Sequence, residues 1–210
     1  MTIVFDYDQA ENEKALLIFA HGAGADKDHV FIKEMSSLLQ AQQISVVRFN
    51  FPYMIKRAED GKRRPPDRFP VLLEHYQKLV SELNTSLPLF FGGKSMGSRV
   101  AASLLAGSHV ANVKGAICLG YPFHPQKKPE KLRLEPLQKT SLPVLICQGD
   151  RDALGNKEEI AAYSFSNLCQ VLYLADGDHD LKPRVKSGYT HLQHKITTAN
   201  YIAEFIDENS

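Results

Sequence analysis

The stretch Pro88-Leu89-Phe90-Phe91-Gly92-Gly93-Lys94-Ser95-Met96-Gly97-Ser98-Arg99-Val100-Ala101-Ala102 decides how this chain folds. Its apolar start, 88–91, reads as a buried strand. Its small-residue continuation, 96–106, reads as a helix. Between the two, Gly93-Lys94-Ser95-Met96-Gly97 fits G-x-S-x-G. Alone the pattern is weak. Flanked by a strand and a helix, it describes a tight turn that lifts a serine hydroxyl to the strand end. The glycines fit because side chains there would strike the neighbouring strand or helix. Ser95 also meets a helix N-terminus, whose free N–H groups favour developing negative charge. A serine that merely caps an ordinary helix is the plainer alternative.

Outward from this stretch, short apolar runs recur at 15–20, 44–49, 115–119, 143–147 and 171–175, with 3–7 as a further edge strand. They are nearly continuous, as strands covered on both faces are. Between them lie amphipathic segments: 29–40 after Asp28 as N-cap, 71–83, 156–165 with Asn156 and Glu159 close to a capping box, and 191–207. The alternation predicts an α/β protein, a mostly parallel twisted sheet with helices on both faces. Two Pro-rich segments, 50–70 and 121–141, read as long surface loops of a kind that is often functional. Neither splits the chain into halves that each own a sheet, so residues 1–210 are expected to form a single domain.

Composition narrows the function classes. Twenty-five basic residues face 24 acidic ones, a net charge of +1. That balance opposes a dedicated nucleic-acid binder. No apolar run reaches the eighteen or so residues of a membrane span. Acids at Asp6 and Asp8 replace the basic start of a signal peptide, so a cytoplasmic protein is expected. Cys118, Cys147 and Cys169 are odd in number and sit in apolar runs, so buried reduced thiols are expected. They lack the spacing of a structural zinc site, and neither metal nor cofactor is called for.

Two further turns complete a constellation. After 143–147 comes Gln148-Gly149-Asp150-Arg151-Asp152, and after 171–175 comes Asp176-Gly177-Asp178-His179-Asp180. Serine, acid and histidine thus each follow a strand's C-terminal end, and parallel strands place those ends on one rim. A serine hydroxyl needs a base to act as nucleophile, and His179 suits that role, with an acid fixing its tautomer. Of the eight histidines, His179 alone follows a late strand in a Gly/Asp turn. His29, His75, His191 and His194 fit helix surfaces, and His109 a helix end. Asp150 and Asp152 compete for the acid. An oxyanion hole needs two N–H groups: Met96, after the nucleophile, and Ala23, in the turn His21-Gly22-Ala23-Gly24 past the first long strand.

In order and setting these four elements resemble the α/β-hydrolase superfamily, its small dienelactone-hydrolase-like members in particular. Asn50-Phe51-Pro52-Tyr53 and the segment 93–99 resemble a narrower branch that includes a testis-expressed protein and a subunit of a chromatin-modifying complex. The resemblance implies Ser95, Asp152 and His179 as a triad, favours Asp152 over Asp150, and implies a serine hydrolase acting on a small ester, thioester or related carbonyl compound. Larger family members insert a lid domain where this chain has only 121–141, so an open, lidless site is expected. Within the narrower branch a non-catalytic interaction protein on the same fold is the alternative. Lys56, Arg57, Lys62, Arg63, Arg64 and Arg68 crowd one loop against Glu59, Asp60 and Asp67. This loop leaves the same rim and suggests an anionic small-molecule substrate, the alternative being a plain solvated loop. Tyr53, Tyr121, Phe123 and His124 are candidates to line the pocket.

Overall fold

Every residue of Ala15–Ala20 and Ile44–Phe49 is buried, which explains why these runs carry no polar alternation. They are β2 and β3 of a seven-stranded sheet. A computed structural model describes residues 2–107, 110 and 112–210. The remaining strands are β1 (Phe5–Asp8), β4 (Leu89–Lys94), β5 (Val113–Leu119), β6 (Val144–Gly149) and β7 (Cys169–Leu174). Their spatial order is β1-β3-β2-β4-β5-β6-β7. Strand β1 lies antiparallel on β3, and all other pairings are parallel.

Among the described residues seven α-helices accompany the sheet: α1 (Val30–Gln40), α2 (Pro52–Asp60), α3 (Phe69–Glu82), α4 (Met96–Ala106), α5 (Glu135–Lys139), α6 (Lys157–Ala161) and α7 (His191–Asn209). One core layer joins Phe31, Ile32, Met35 and Leu39 of α1 to Ile202, Phe205 and Ile206 of α7. The other joins Leu72, Tyr76 and Leu79 of α3 to Val100, Ala101 and Leu105 of α4. From β2 the chain moves to β3 on one side, whereas β4 to β7 run away on the other. The crevice outside the C-terminal ends of β2 and β4 is therefore the topological switch point, where open α/β sheets place their ligands.

Several boundaries differ from the sequence reading. Strand β4 continues through Gly92 and Gly93, which pair with Ile117 and Cys118. Glycine's poor strand propensity hides this extension, yet a Cβ at Gly92 would approach Leu17 Cδ1 to 2.7 Å. Segment 50–70 is not all loop. Pro52 and Pro70 occupy first-turn positions of α2 and α3, where a missing N–H is harmless. Asp28 is not the cap of α1. His29 is, and its ring accepts the Phe31 N–H, while Asp28 faces Lys27 and Arg48. Helix α6 has the expected Asn156/Glu159 capping box but stops at Ala161. His194 is buried, not on a helix surface, and its Nδ1 meets the Leu181 carbonyl at 2.8 Å. His109 lies outside the described residues. Between β5 and β6 the chain carries one five-residue helix, α5, and no lid domain.

Candidate active site

Ser95 sits between β4 and α4 with φ 53° and ψ −114°, a left-handed conformation costing a non-glycine residue about 1–3 kcal/mol. Packing enforces it. A Cβ at Gly93 would lie 2.8 Å from the Ala20 carbonyl oxygen, and one at Gly97 would lie 2.4 Å from the same atom. Only glycines let α4 leave so close to β2. The turn is pinned by the Ser95 N–H donating to Leu119 O at 2.9 Å and by Ser98 Oγ donating to Ser95 O at 2.6 Å.

His179 Nε2 lies 2.8 Å from Ser95 Oγ, and its Nδ1 lies 2.8 Å from Asp152 Oδ2. A fully buried carboxylate on Nδ1 holds the proton there and leaves Nε2 as the acceptor for the hydroxyl. Asp152 is itself held. Oδ1 accepts the Leu154 N–H at 2.8 Å, and Oδ2 accepts from Gln148 Nε2 at 2.9 Å. The same Nε2 reaches Tyr121 O and Gly155 O. Asp150 is not in this chain of bonds; its carbonyl accepts from Lys157 N–H.

Met96 is the first residue of α4, so its N–H has no acceptor one turn back. The Ala23 N–H is also free among the described residues, in a turn closed by Ala25 N–H on Gly22 O at 3.2 Å. That turn presses on the Ser95 segment: a Cβ at Gly22 would touch Lys94 O and Ser95 Cβ at 3.5 and 3.6 Å. His21 ties it down. Its Nε2 accepts the Phe51 N–H at 3.1 Å, and its Nδ1 meets Gly22 O at 2.8 Å. Burial lowers the His21 pKa to about 4, so the ring is neutral, as accepting from Phe51 requires. Ala23 and Met96, whose N–H groups are unpaired among the described residues, line one cavity with Ser95, an arrangement suited to stabilising an oxyanion.

Lys94 adds a charge behind the histidine. Its ammonium is buried, donates to His179 O at 2.7 Å and pairs with Asp180 at 3.2 Å. Burial pushes its pKa down, and Asp180 opposes that shift.

A family model of an alpha/beta hydrolase domain matches residues 13–207. The chain belongs to that alpha/beta hydrolase family. A dienelactone hydrolase from Anabaena variabilis is 15% identical with a TM-score of 0.74, over 98% of this chain and 91% of its own. Est1E from Butyrivibrio proteoclasticus is 14% identical with a TM-score of 0.72, over 99% and 98%. A Xanthomonas campestris protein described as an α/β serine hydrolase without lid is 14% identical with a TM-score of 0.66, over 96% and 88%. At these identities the likeness establishes the fold.

Within this hydrolase fold, two cavities flank Ser95 and Ala23. One, of about 500 Å³, is lined by Met96, Arg99, His124, Arg133, Asp67 and Leu154 among others. The second, of about 250 Å³, is lined by His29, Phe31, Lys94, His179 and Asp180. A larger hollow of about 660 Å³, near Ile3, Pro52 and His75, is lined by none of Ser95, Asp152 and His179.

Of the four pocket candidates, His124 lines the first cavity and the three large rings do not. Tyr53, Tyr121 and Phe123 are buried in the core, because aromatic rings next to a strand end gain more from packing than from water. Their work is indirect. Tyr53 OH donates to Ala23 O at 2.9 Å, and Tyr121 OH donates to Arg133 O at 2.8 Å. None of the six basic residues of 56–68 lines the Ser95 cavities; that loop contributes Pro66 and Asp67 instead. Sequence reasoning missed Gln148, Lys94, Arg99 and Arg133. The first lies inside the quoted acid turn and the next two in or beside the serine motif, but nothing in spacing says where their side chains point.

Among the described residues no three His, Cys, Asp or Glu side chains are grouped to hold a metal ion, and no helix is long and apolar enough to cross a membrane.

Proposed function

We propose that this protein is a serine hydrolase cleaving a small ester, thioester or related carbonyl substrate through an acyl-enzyme on Ser95. The observation that carries the reading is the continuous chain Asp152–His179–Ser95, 2.8 Å at each link, ending on a serine held in a strained turn. His179 Nε2 takes the Ser95 proton as Oγ attacks the carbonyl carbon. The carbonyl electrons move to oxygen, which the Ala23 and Met96 amides receive. Collapse breaks the bond to the leaving group, and His179 returns the proton to it. Water then repeats the sequence on the acyl-enzyme. Its proton passes through His179 to Ser95 Oγ, and the carboxylic acid departs. The sum is substrate plus water giving acid plus alcohol or thiol, with no cofactor consumed.

Three free thiols fit our placement of this activity in the cytoplasm. A fluorophosphonate probe tests the reading: the expected result is a covalent adduct on Ser95 that is lost in Ser95→Ala. No adduct, together with no turnover across an ester and thioester panel, favours a non-catalytic interaction protein on the same fold.

A further inference from the structure

Two arginines face the larger cavity beside Ser95, and neither has an ion-pair partner among the described residues. Arg99 leaves the first turn of α4, four residues after the nucleophile, and is half-buried. Its guanidinium lies over the Phe69 ring at 4.0 Å and makes no hydrogen bond among the described residues. Arg133, also half-buried, makes one long bond, Nη1 to Pro122 O at 3.5 Å. A guanidinium carries five N–H donors. Almost all of them are unused here. The pair also repel each other: burial lowers the Arg133 pKa first, and the charge of Arg99 lowers it further.

Removing charge from water without a partner is unfavourable, and structural arginines are normally satisfied where they are buried. The backbone around Arg133 is nonetheless fixed. Its N–H donates to Phe123 O at 2.8 Å, and its carbonyl accepts from Tyr121 OH. The buried aromatic pair Tyr121–Phe123 thus anchors the segment that presents this charge. The other charged or titratable groups on the cavity wall are Asp67 and His124, and among the described residues neither is ion-paired with the two arginines. Asp67 accepts the Tyr53 N–H at 2.8 Å, at the start of α2. His124 donates through Nδ1 to Pro125 O at 3.0 Å, and its Nε2 lies 3.5 Å from Glu159 without making a hydrogen bond.

The side of the site is set by the chemistry. His179 must hand its proton to the leaving atom, so the leaving group occupies the smaller cavity, which His179 lines. The acyl portion then extends into the larger one. We infer that the substrate's acyl group ends in a carboxylate, bound by Arg99 and Arg133 in the cavity of about 500 Å³ next to Ser95. The inference rests on the hydrolase reading above and adds its substrate class. Two planar forks can each take a carboxylate edge, a geometry that lysine does not offer.

The test compares 4-nitrophenyl monoesters of succinic, glutaric and adipic acid with neutral 4-nitrophenyl esters of matched chain length. The expected result is a higher kcat/KM for the anionic series. In Arg99→Gln and in Arg133→Gln the anionic-to-neutral ratio should fall roughly ten- to hundredfold, mostly through KM. Arg99→Lys and Arg133→Lys, which keep the charge and lose the fork, should recover only part of it. Fluorophosphonate labelling of Ser95 in each variant reports that the site is folded. A preference for neutral esters, or a ratio unmoved in both glutamine variants that still label, overturns the inference and leaves the hydrolase intact. Absence of both turnover and labelling in the unmodified protein overturns the hydrolase reading itself, and the inference with it.

Discussion

Asp152→Asn separates an orienting acid from a merely buried one. The wild-type carboxylate accepts from three donors: Leu154 N–H on Oδ1, and Gln148 Nε2 and His179 Nδ1 on Oδ2. An asparagine has one oxygen for these two sides. If its oxygen faced His179, its NH₂ would confront the fixed Leu154 N–H, leaving a buried donor unsatisfied at about 1–3 kcal/mol. If its oxygen faces Leu154, the NH₂ points at His179 and Gln148. Gln148 tolerates that, because its two hydrogens still have Tyr121 O at 3.2 Å and Gly155 O at 3.0 Å. The second orientation therefore wins. His179 must then accept at Nδ1 and carry its proton on Nε2, facing Ser95 with a donor where an acceptor is needed. The expected loss in kcat is about 10⁴-fold, as for the equivalent change in serine proteases, or about 5 kcal/mol of transition-state stabilisation. The assay is steady-state hydrolysis of an activated ester together with the rate of fluorophosphonate labelling, with thermal melting as the control for folding. Asp150→Asn, outside the bonded chain, should stay near wild type. A loss below about tenfold in Asp152→Asn would refute the tautomer argument.

Tyr53→Phe should lower kcat more than it changes KM, since it frees the Ala23 peptide that Tyr53 OH holds at 2.9 Å; it should lower stability by about 0.5–1.5 kcal/mol in denaturant melts. Stability should fall with acid through His21. Its folded pKa of about 4 lies below the ordinary 6.5, so its contribution is complete above pH 6.5 and is lost as pH drops toward 4. The loss between pH 7 and pH 4 is about 3 kcal/mol by chemical denaturation, and His21→Gln should remove that part of the slope; an unchanged slope would contradict the assignment. Lys94→Met removes the bond to His179 O at 2.7 Å while keeping an apolar stem of similar length. Activity should drop, with a shifted pH–rate profile, and a profile superimposable on wild type would make Lys94 a packing residue only.

The pattern of the chain determined the architecture. Six apolar runs separated by amphipathic segments leave few folds other than a parallel sheet covered on both faces, and β2 and β3 fall at the residues where those runs begin and end. Glycine placement carried the local geometry of the serine turn, because Gly93 and Gly97 are sites where any side chain would strike β2. Hydrophobic periodicity is a property of one segment at a time, so it locates elements well and says little about what lies across the crevice. Which aspartate reaches His179 was therefore a matter for tertiary structure: Asp150 and Asp152 share a turn, and only the packing of that turn against β7 and Gln148 selects one. The aromatic residues 53, 121 and 123 show the same limit. In sequence an aromatic beside a strand end reads equally as pocket wall or as core, and only the assembled layers, which bury all three rings, put Arg99 and Arg133 at the cavity wall in their place.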